Sequence, residues 1–244
     1  RVRGVVPQGE GGLLGIAVPP GPDPTFVLVY FTGATDNRVV RIGWDGKRLG
    51  RQSPIVTGIP KSAFHNGGRL LAVEDGTYFV STGDAGVSAR AQRPGSLAGK
   101  ILHITATGKP APGNTRRSSP VFSLGHRNVQ GLAVDSVGQL WATEFGQKDV
   151  DELNRIVAGG NYGWPQVEGI AGQEGFIDPV QQWRPSDASP SGIAIAADTL
   201  YIANLRGQRL RAVPLADPST ATELLVGEYG RLRDAVAAPD GSIW

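Results

Sequence analysis

Four stretches of the chain repeat one pattern: a short apolar run, a turn containing Asp or Gly, and a second run of β-branched or aromatic residues. They are residues 71–84, 132–144, 193–204 and 236–244, and a looser copy covers 14–31 with its turn between Pro19 and Pro24. Two short apolar runs around such a turn predict a β-hairpin. The pattern therefore predicts a chain built from successive hairpins.

The spacing of these hairpins indicates the fold class. The clearer repeats begin at Leu71, Leu132 and Ile193, about sixty residues apart. Blades of a β-propeller repeat at about forty to fifty residues, and long loops stretch that period. The best helix candidate, residues 149–157, is short and flanked by glycines. We therefore predict an all-β propeller of four-stranded antiparallel blades, with a β-sandwich as the alternative.

Composition agrees with many short strands and limits the function classes. The 244 residues include 35 Gly and 18 Pro, and 40% are hydrophobic, which is enough for a core. The net charge is only +2 and no basic stripe is visible, so we expect no nucleic-acid partner. The absence of Cys excludes disulfides and thiolate metal sites. No apolar run is long enough to span a bilayer.

The domain is predicted to be a single propeller over residues 1–244, incomplete at both ends. The last hairpin stops at Trp244, and the chain begins part-way through the first blade. The repeats account for about five blades. The chain starts at Arg1 and contains no Met. We therefore expect a processed or trimmed product, which is compatible with the removal of a targeting segment.

Polar residues end the second strand of three repeats: Asp84, Glu144 and Asn204. Equivalent positions in a propeller converge on one end of the central channel, where they can face a common ligand. These side chains are equally compatible with capping the strand ends. The pattern alone leaves both interpretations open.

Two glycine-containing loops carry the candidate chemistry. His65 lies in one of them, and a loop histidine can take a proton from a substrate hydroxyl, although many such residues are ordinary surface histidines. In the other loop, Arg127 offers a fork of donors for a carboxylate or oxyanion, and Asn128 and Gln130 add neutral donors and acceptors.

Charged segments later in the chain suggest further sites. Residues 144–154 are rich in carboxylates that suit calcium, but the spacing is not that of an EF-hand, and a solvated acidic loop is the alternative. Arg231 and Arg233 share one side of a predicted strand, and Arg206 is a third candidate cation. Such cations suit a ligand with several carboxylates.

Nine short motifs, taken together and in order, carry a family resemblance. They are Gly11–Ala17, His65–Leu70, Ser81–Gly86, Ser96–Leu102, Gly125–Ala133, Asp151–Asn154, Gly160–Pro165, Pro190–Gly192 and Gly230–Asp234. The chain resembles the glucose/sorbosone dehydrogenases, also called soluble aldose sugar dehydrogenases, which use pyrroloquinoline quinone (PQQ) and calcium. The resemblance implies a six-bladed propeller with PQQ lying over the channel.

The resemblance also implies roles for the catalytic candidates. His65 matches the general base and Asp84 the residue that orients it. Arg127 would lie near the reactive quinone carbonyl, assisted by Asn128 and Gln130.

The resemblance further implies cofactor and metal ligands. Arg206, Arg231 and Arg233 would bind the carboxylates of PQQ. An active-site calcium would bind the main-chain carbonyls of Gly146 and Gln147. A second, structural calcium would involve Glu152 and the carbonyl of Tyr162.

Three positions depart from the family pattern: Val129 replaces a proline, and Phe145 and Gln147 stand in a stretch that is usually Glu-His-Gly-Pro. Without the proline that the family pattern has at position 147, the loop that would bind the active-site calcium is expected to be less rigid.

The sequence thus predicts an extracytoplasmic quinoprotein, either secreted, periplasmic or lipid-anchored, that oxidises an aldose to a lactone and is reoxidised by an external electron acceptor. The alternative is a propeller that has lost its cofactor and serves as a binding or scaffold protein of the cell envelope.

Overall fold

Aspartate side chains and glycines set the predicted hairpin turns. Asp75 Oδ1 accepts a hydrogen bond from the Thr77 amide at 2.8 Å, and Asp135 Oδ1 accepts one from the Gln139 amide at 2.8 Å. Gly76, between Asp75 and Thr77, adopts a φ of +79°, a conformation that residues with a Cβ rarely adopt. These local interactions explain why the turns fall where the sequence predicts them.

The computed structural model describes residues 1–244 and contains four antiparallel sheets of four strands each. The first sheet contains β1 (Leu13–Ala17), β2 (Phe26–Thr32), β3 (Asn37–Trp44) and β4 (Leu49–Ile59). The second contains β5 (Leu70–Ala72), β6 (Thr77–Ser81), β7 (Lys100–Thr105) and β8 (Val121–Leu124). The third contains β9 (Val129–Val134), β10 (Leu140–Glu144), β11 (Asp151–Ile156) and β12 (Gln181–Trp183). The fourth contains β13 (Pro190–Ala196), β14 (Thr199–Asn204), β15 (Arg209–Pro214) and β16 (Thr222–Leu224).

This architecture confirms the all-β prediction and shows four blades of a propeller-like fold. Each sheet pairs its strands in chain order, and a bridge between Ala237 and Ile243 starts a further hairpin. The six-blade count stays a prediction. The helix candidate at 149–157 forms strand β11 instead, because its residues pair in register with β10. The only helical segment is a 3₁₀ turn at Ser88–Arg90, and no helix is long and apolar enough to cross a membrane.

The core lies between neighbouring sheets. Along β6, Tyr78 and Val80 pack toward the first sheet, whereas Phe79 packs toward the third. In β10, Trp141 packs toward the fourth sheet and Ala142 toward the second. A sheet buried on both faces needs apolar side chains on both, and this requirement explains the nearly continuous apolar runs in the repeats.

The first strands of the sheets lie nearest the common axis. Strand β1 contacts β5, β5 contacts β9, and β9 contacts β13. Residues of β5, β9, β13 and the segment 234–237 line a mostly apolar cavity of about 330 Å³ between them. An ion pair between Arg69 and Asp234, 2.7 Å long, joins the β5 end to that last segment. The loops at the strand ends are thereby gathered around one axis.

A buried lysine anchors the long loop between β6 and β7. Lys100 is fully buried, and its Nζ donates to the carbonyls of Arg90, Ala91 and Ala98 at 2.9, 2.8 and 2.7 Å. Burial lowers the pKa of Lys100 to about 8. Because the site is buried, water cannot supply the hydrogen bonds that these three carbonyls would lose without Lys100.

We expect Lys100→Met to lower the free energy of unfolding by about 3 kcal/mol, because three buried carbonyls lose a charged donor. Urea denaturation measures this difference. Lys109→Met is the matched control, since Lys109 is exposed and its side chain makes no hydrogen bond. Equal stability of the two variants would contradict the anchoring role of Lys100.

Candidate functional site

A cavity of about 570 Å³ opens where loops of the second and third sheets meet. The three predicted catalytic residues lie in it together, and so does Gln147. Its lining consists of Glu10, Phe64, His65, Asp84, Gly86, Ser88, Arg127, Gln147 and Trp164. The mixture of a histidine, carboxylates, an arginine and aromatic rings suits a polar ligand.

The backbone of His65 is held in a specific conformation. Its φ is +56°, which is uncommon for a residue with a side chain. The amide donates to Glu10 Oε2 at 2.9 Å and the carbonyl accepts from the Ala85 amide at 3.1 Å. These two bonds fix the direction in which the imidazole leaves the loop.

The imidazole of His65 pairs with Asp84. Nδ1 lies 2.8 Å from Asp84 Oδ1, and Nε2 has no hydrogen-bond partner in the protein. The side chain is 16% exposed. A proton on Nδ1 donated to the carboxylate leaves the Nε2 lone pair free for a ligand in the cavity.

The Asp84 carboxylate is buried but well satisfied. Besides His65, it accepts hydrogen bonds from the Gly86 amide at 2.8 Å and from Trp164 Nε1 at 2.9 Å. Burial by itself raises the pKa of Asp84, but the bonds from His65, Gly86 and Trp164 outweigh it and leave that pKa below its usual value. Asp84 is therefore an anion at neutral pH.

A buried chain of side chains fixes the main chain at Arg127 and Asn128. The amides of both residues donate to Glu144 Oε1, that of Asn128 at 3.1 Å. Glu144 Oε2 lies 2.9 Å from His126 Nδ1, and His126 Nε2 lies 2.8 Å from Ser123 Oγ. His126 and Ser123 are fully buried, so this set is a support for the loop and not a second reactive centre.

The Arg127 side chain reaches into the cavity over Trp164. Nη1 donates to the carbonyl of Phe145 at 3.2 Å, and the guanidinium carbon lies 5.6 Å from the centre of the Trp164 ring. Arg127 Nε is buried and has no partner in the protein. An unsatisfied buried donor of a cation suits an anionic or carbonyl oxygen of a ligand.

The side chains of Asn128 and Gln130 form hydrogen bonds that hold the loops around the cavity, but neither residue lines it. Asn128 Oδ1 accepts from the Gly67 amide at 3.1 Å and from Gln130 Nε2 at 3.1 Å. Of the three polar strand ends, only Asp84 reaches the cavity. Asn204 instead accepts from Arg211 within its own sheet at 2.9 Å, as expected of a strand-end cap.

The loop at 146–150 is organised around one carboxylate. Glu168 Oε1 accepts hydrogen bonds from four consecutive amides, those of Gln147, Lys148, Asp149 and Val150, at 2.7, 3.2, 3.2 and 3.3 Å. A Cβ at Gly146 would lie 1.7 Å from the carbonyl oxygen of Val150, so only glycine fits there. The carbonyls of Gly146 and Gln147 accept no hydrogen bond within the protein.

The second predicted calcium site contains an electrostatically strained carboxylate. Glu152 accepts bonds from the Gly169 amide at 2.8 Å and from Asn154 at 3.0 Å. Burial, and then the charge of Glu144, raise the pKa of Glu152. The carbonyl of Tyr162 accepts no hydrogen bond. No group of three or more His, Cys, Asp or Glu side chains is arranged to hold a metal.

The three arginines assigned to the cofactor lie outside the residues that line the His65 cavity. Arg206, Arg231 and Arg233 are exposed, and none of them forms an ion pair. Partial burial of its guanidinium, and then the charge of Arg69, lower the pKa of Arg233. These positive charges are therefore not neutralised within the protein.

The family model described as glucose/sorbosone dehydrogenase matches residues 1–244. The chain belongs to this family.

Relatives within the glucose/sorbosone dehydrogenase family include proteins of known structure. The PQQ-bound aldose sugar dehydrogenase of Streptomyces coelicolor is 49% identical, with a TM-score of 0.92 over 96% of this chain and 73% of that one. Quinoprotein glucose dehydrogenase B of Acinetobacter calcoaceticus is 33% identical over 59% of this chain and only 35% of its own length. Aldose sugar dehydrogenase YliI of Escherichia coli K12 is 26% identical over 97% of this chain and 74% of its own.

The residues present fit the PQQ and the calcium that the family resemblance implies. Arg127 Nε is an orphaned buried donor, and the exposed arginines lack ion-pair partners. Two adjacent carbonyls, at Gly146 and Gln147, are free for a cation beside the cavity. Glu152 is a buried carboxylate beside Glu144, an environment that a cation would stabilise.

Sequence patterns do not identify Glu10, Glu168, Phe64 or Ser88, and Trp164 is covered only as part of the motif Gly160–Pro165. Glu10 stands immediately before the first family motif, which is the one signal that could have drawn attention to it. The remaining contacts join segments far apart in the chain, so no local pattern marks them.

We expect Asp84→Asn to be less stable than the wild-type protein at neutral pH, and the difference to shrink below about pH 4. The reason is that the folded-state pKa of Asp84 is lowered, so its stabilisation is present above the unfolded-state pKa and lost as the pH falls through the folded-state value. Thermal unfolding at a series of pH values measures the effect. A difference that stays constant across the series would contradict the assignment.

We expect Glu168→Ala to loosen the 146–150 loop, because four amides lose their common acceptor. Hydrogen exchange of the amides at 147–150 is expected to accelerate at least about tenfold. Glu174→Ala is the control, since Glu174 is exposed and forms no hydrogen bond. Unchanged protection in Glu168→Ala would show that the loop is held by other contacts.

Proposed function

We propose that this protein is a quinoprotein sugar dehydrogenase that oxidises the anomeric hydroxyl of an aldose to a lactone, with PQQ and calcium as cofactors. One observation carries the proposal. The Asp84-paired His65 presents an unpartnered Nε2 in the same cavity as Arg127, whose Nε is buried without a partner. A base and an electrophilic donor beside one polar cavity are what oxidation of an alcohol requires.

The chain's own residues would handle the proton and the orientation of the sugar. His65 Nε2 accepts the proton of the anomeric hydroxyl, and the Asp84 carboxylate stabilises the imidazolium that forms. Arg127 directs its donors at the oxygen on which negative charge develops. The bound quinone would supply the hydride acceptor, polarised by calcium.

The family resemblance assigns the binding groups. Arg206, Arg231 and Arg233 would hold the cofactor carboxylates, and Asn128 and Gln130 would support the loop that carries Arg127. The free carbonyls of Gly146 and Gln147 would bind the active-site calcium. Glu152 and the carbonyl of Tyr162 would bind the second calcium.

We place the reaction outside the cytoplasm and assign reoxidation to an external electron acceptor, as the family resemblance implies. The scaffold alternative predicts that nearby acids neutralise the arginines. Arg231 and Arg233 form no ion pair, and this favours the cofactor-binding interpretation.

Titration with PQQ, with and without calcium, tests the proposal. We expect PQQ to bind in a calcium-dependent manner, which the absorbance of the cofactor measures. We also expect a dye to be reduced when an aldose is added. His65→Ala is expected to retain PQQ binding but lower kcat by at least about a hundredfold, because the general base is lost. Failure of the folded wild-type protein to bind PQQ would favour the scaffold alternative.

The arginine pair is tested by the double variant Arg231→Ala/Arg233→Ala. We expect its dissociation constant for PQQ to rise at least about tenfold, since two charge-assisted contacts are lost. Arg116→Ala/Arg117→Ala is the matched control, because it removes the same charge from two exposed arginines remote from the cavity. Equal weakening in both double variants would indicate a general charge effect.

A further inference from the structure

Trp164 contacts both halves of the proposed catalytic machinery. Its indole Nε1 donates to Asp84 Oδ2 at 2.9 Å, on the carboxylate oxygen that His65 does not use. The centre of its ring lies 5.6 Å from the Arg127 guanidinium carbon. One side chain from the loop between β11 and β12 thus contacts residues that belong to two other loops.

Trp164 is itself held on both sides of its peptide unit. Its amide donates to the Gly125 carbonyl at 3.0 Å, and its carbonyl accepts from Gln92 Nε2 at 2.7 Å. Gln92 also exchanges two amide hydrogen bonds with Asn161, at 2.9 and 2.8 Å. These bonds tie the tryptophan turn to the loop between β6 and β7.

That loop is in turn anchored to the core. Lys100 Nζ donates to the carbonyl of Ala91, the residue before Gln92, at 2.8 Å. Hydrogen bonds and the main chain between them therefore connect buried Lys100, through Gln92 and Trp164, to Asp84. Side chains supported in this way keep one orientation, which a catalytic pair needs.

We propose that Trp164 is a positioning residue, which fixes the Asp84 carboxylate so that His65 presents Nε2 to the sugar hydroxyl and at the same time keeps Arg127 facing the cavity. This inference rests on the proposed dehydrogenase function. The indole N–H is the bond that prevents Asp84 from rotating about its side-chain torsion, because the Gly86 amide and His65 both use the other oxygen.

The test variant is Trp164→Phe, which keeps an aromatic ring near Arg127 but removes the N–H donor. Trp141→Phe is the matched control. Trp141 Nε1 donates to Asp135 Oδ2 at 3.0 Å, so the control loses the same kind of bond, in a turn that lines no part of the His65 cavity.

In the holoenzyme we expect kcat of Trp164→Phe to fall roughly tenfold with KM changed less than about twofold, as loss of one hydrogen bond to a charged group predicts. A loss of stability without repositioning would lower the yield of active protein and leave kcat per active site unchanged. Trp141→Phe is expected to keep the wild-type kcat.

A carbon-13 NMR titration of the Asp84 carboxyl group in the protein without cofactor gives a readout that does not depend on turnover. We expect it to shift to higher pH in Trp164→Phe and to match the wild type in Trp141→Phe. Gln92→Ala, which removes the support of Trp164 without altering the indole, is expected to shift it in the same direction by a smaller amount.

The outcomes distinguish the positioning role of Trp164 from the proposed dehydrogenase function. An unchanged Asp84 titration in both Trp164→Phe and Gln92→Ala would overturn the positioning role. If Trp164→Phe does not fold, Gln92→Ala alone decides. A wild-type protein that shows no dehydrogenase activity, while its Asp84 titration responds to these substitutions as expected, would refute the proposed function and leave the structural role of Trp164 intact.

Discussion

The buried carboxylate of Asp84 accepts hydrogen bonds from its own loop and from two segments that are distant in the chain. His65 comes from the loop before β5, Gly86 from the loop after β6, and Trp164 from the turn after β11. A buried carboxylate is unfavourable unless its oxygens are satisfied, so these segments are required to meet at one point. The geometry of the cavity depends on that requirement, because all three donors line it themselves.

Carboxylates also organise the neighbouring loops. Glu144 accepts hydrogen bonds from the amides of Arg127 and Asn128, and Glu168 accepts hydrogen bonds from the four amides that follow Gly146. Irregular loops cannot pair their amides as strands do, so a carboxylate acceptor replaces the missing partners. The sheets supply a rigid frame, and buried or half-buried carboxylates orient the connecting loops upon it.

What the sequence could predict follows from how local each interaction is. The hairpins around Asp75 and Asp135 were predicted because an aspartate, a glycine and two apolar runs act within a few residues. His65 and Asp84 were found through family motifs. The bond from Trp164 to Asp84 spans eighty residues and the one from Glu10 to His65 spans fifty-five, and no periodicity encodes such a meeting. The 149–157 segment was ambiguous for the same reason: its pairing with β10 decides its conformation.

The departures from the family pattern become understandable at this level. Val129 is fully buried in the core between the second and third sheets, where an apolar side chain is favourable. Phe145 contributes its carbonyl to Arg127, a contact that any residue can make. At Gln147 the chain lacks the φ restriction of a proline, but Glu168 binds the amide of Gln147, an amide that proline does not possess. The hydrogen bond that Glu168 Oε1 accepts from this amide thus supplies a constraint that the family pattern assigns to a proline ring. The loop keeps free the two carbonyls that we propose as calcium ligands, but by different means, so the motif letters are a poorer guide to the site than the hydrogen bonds that hold it.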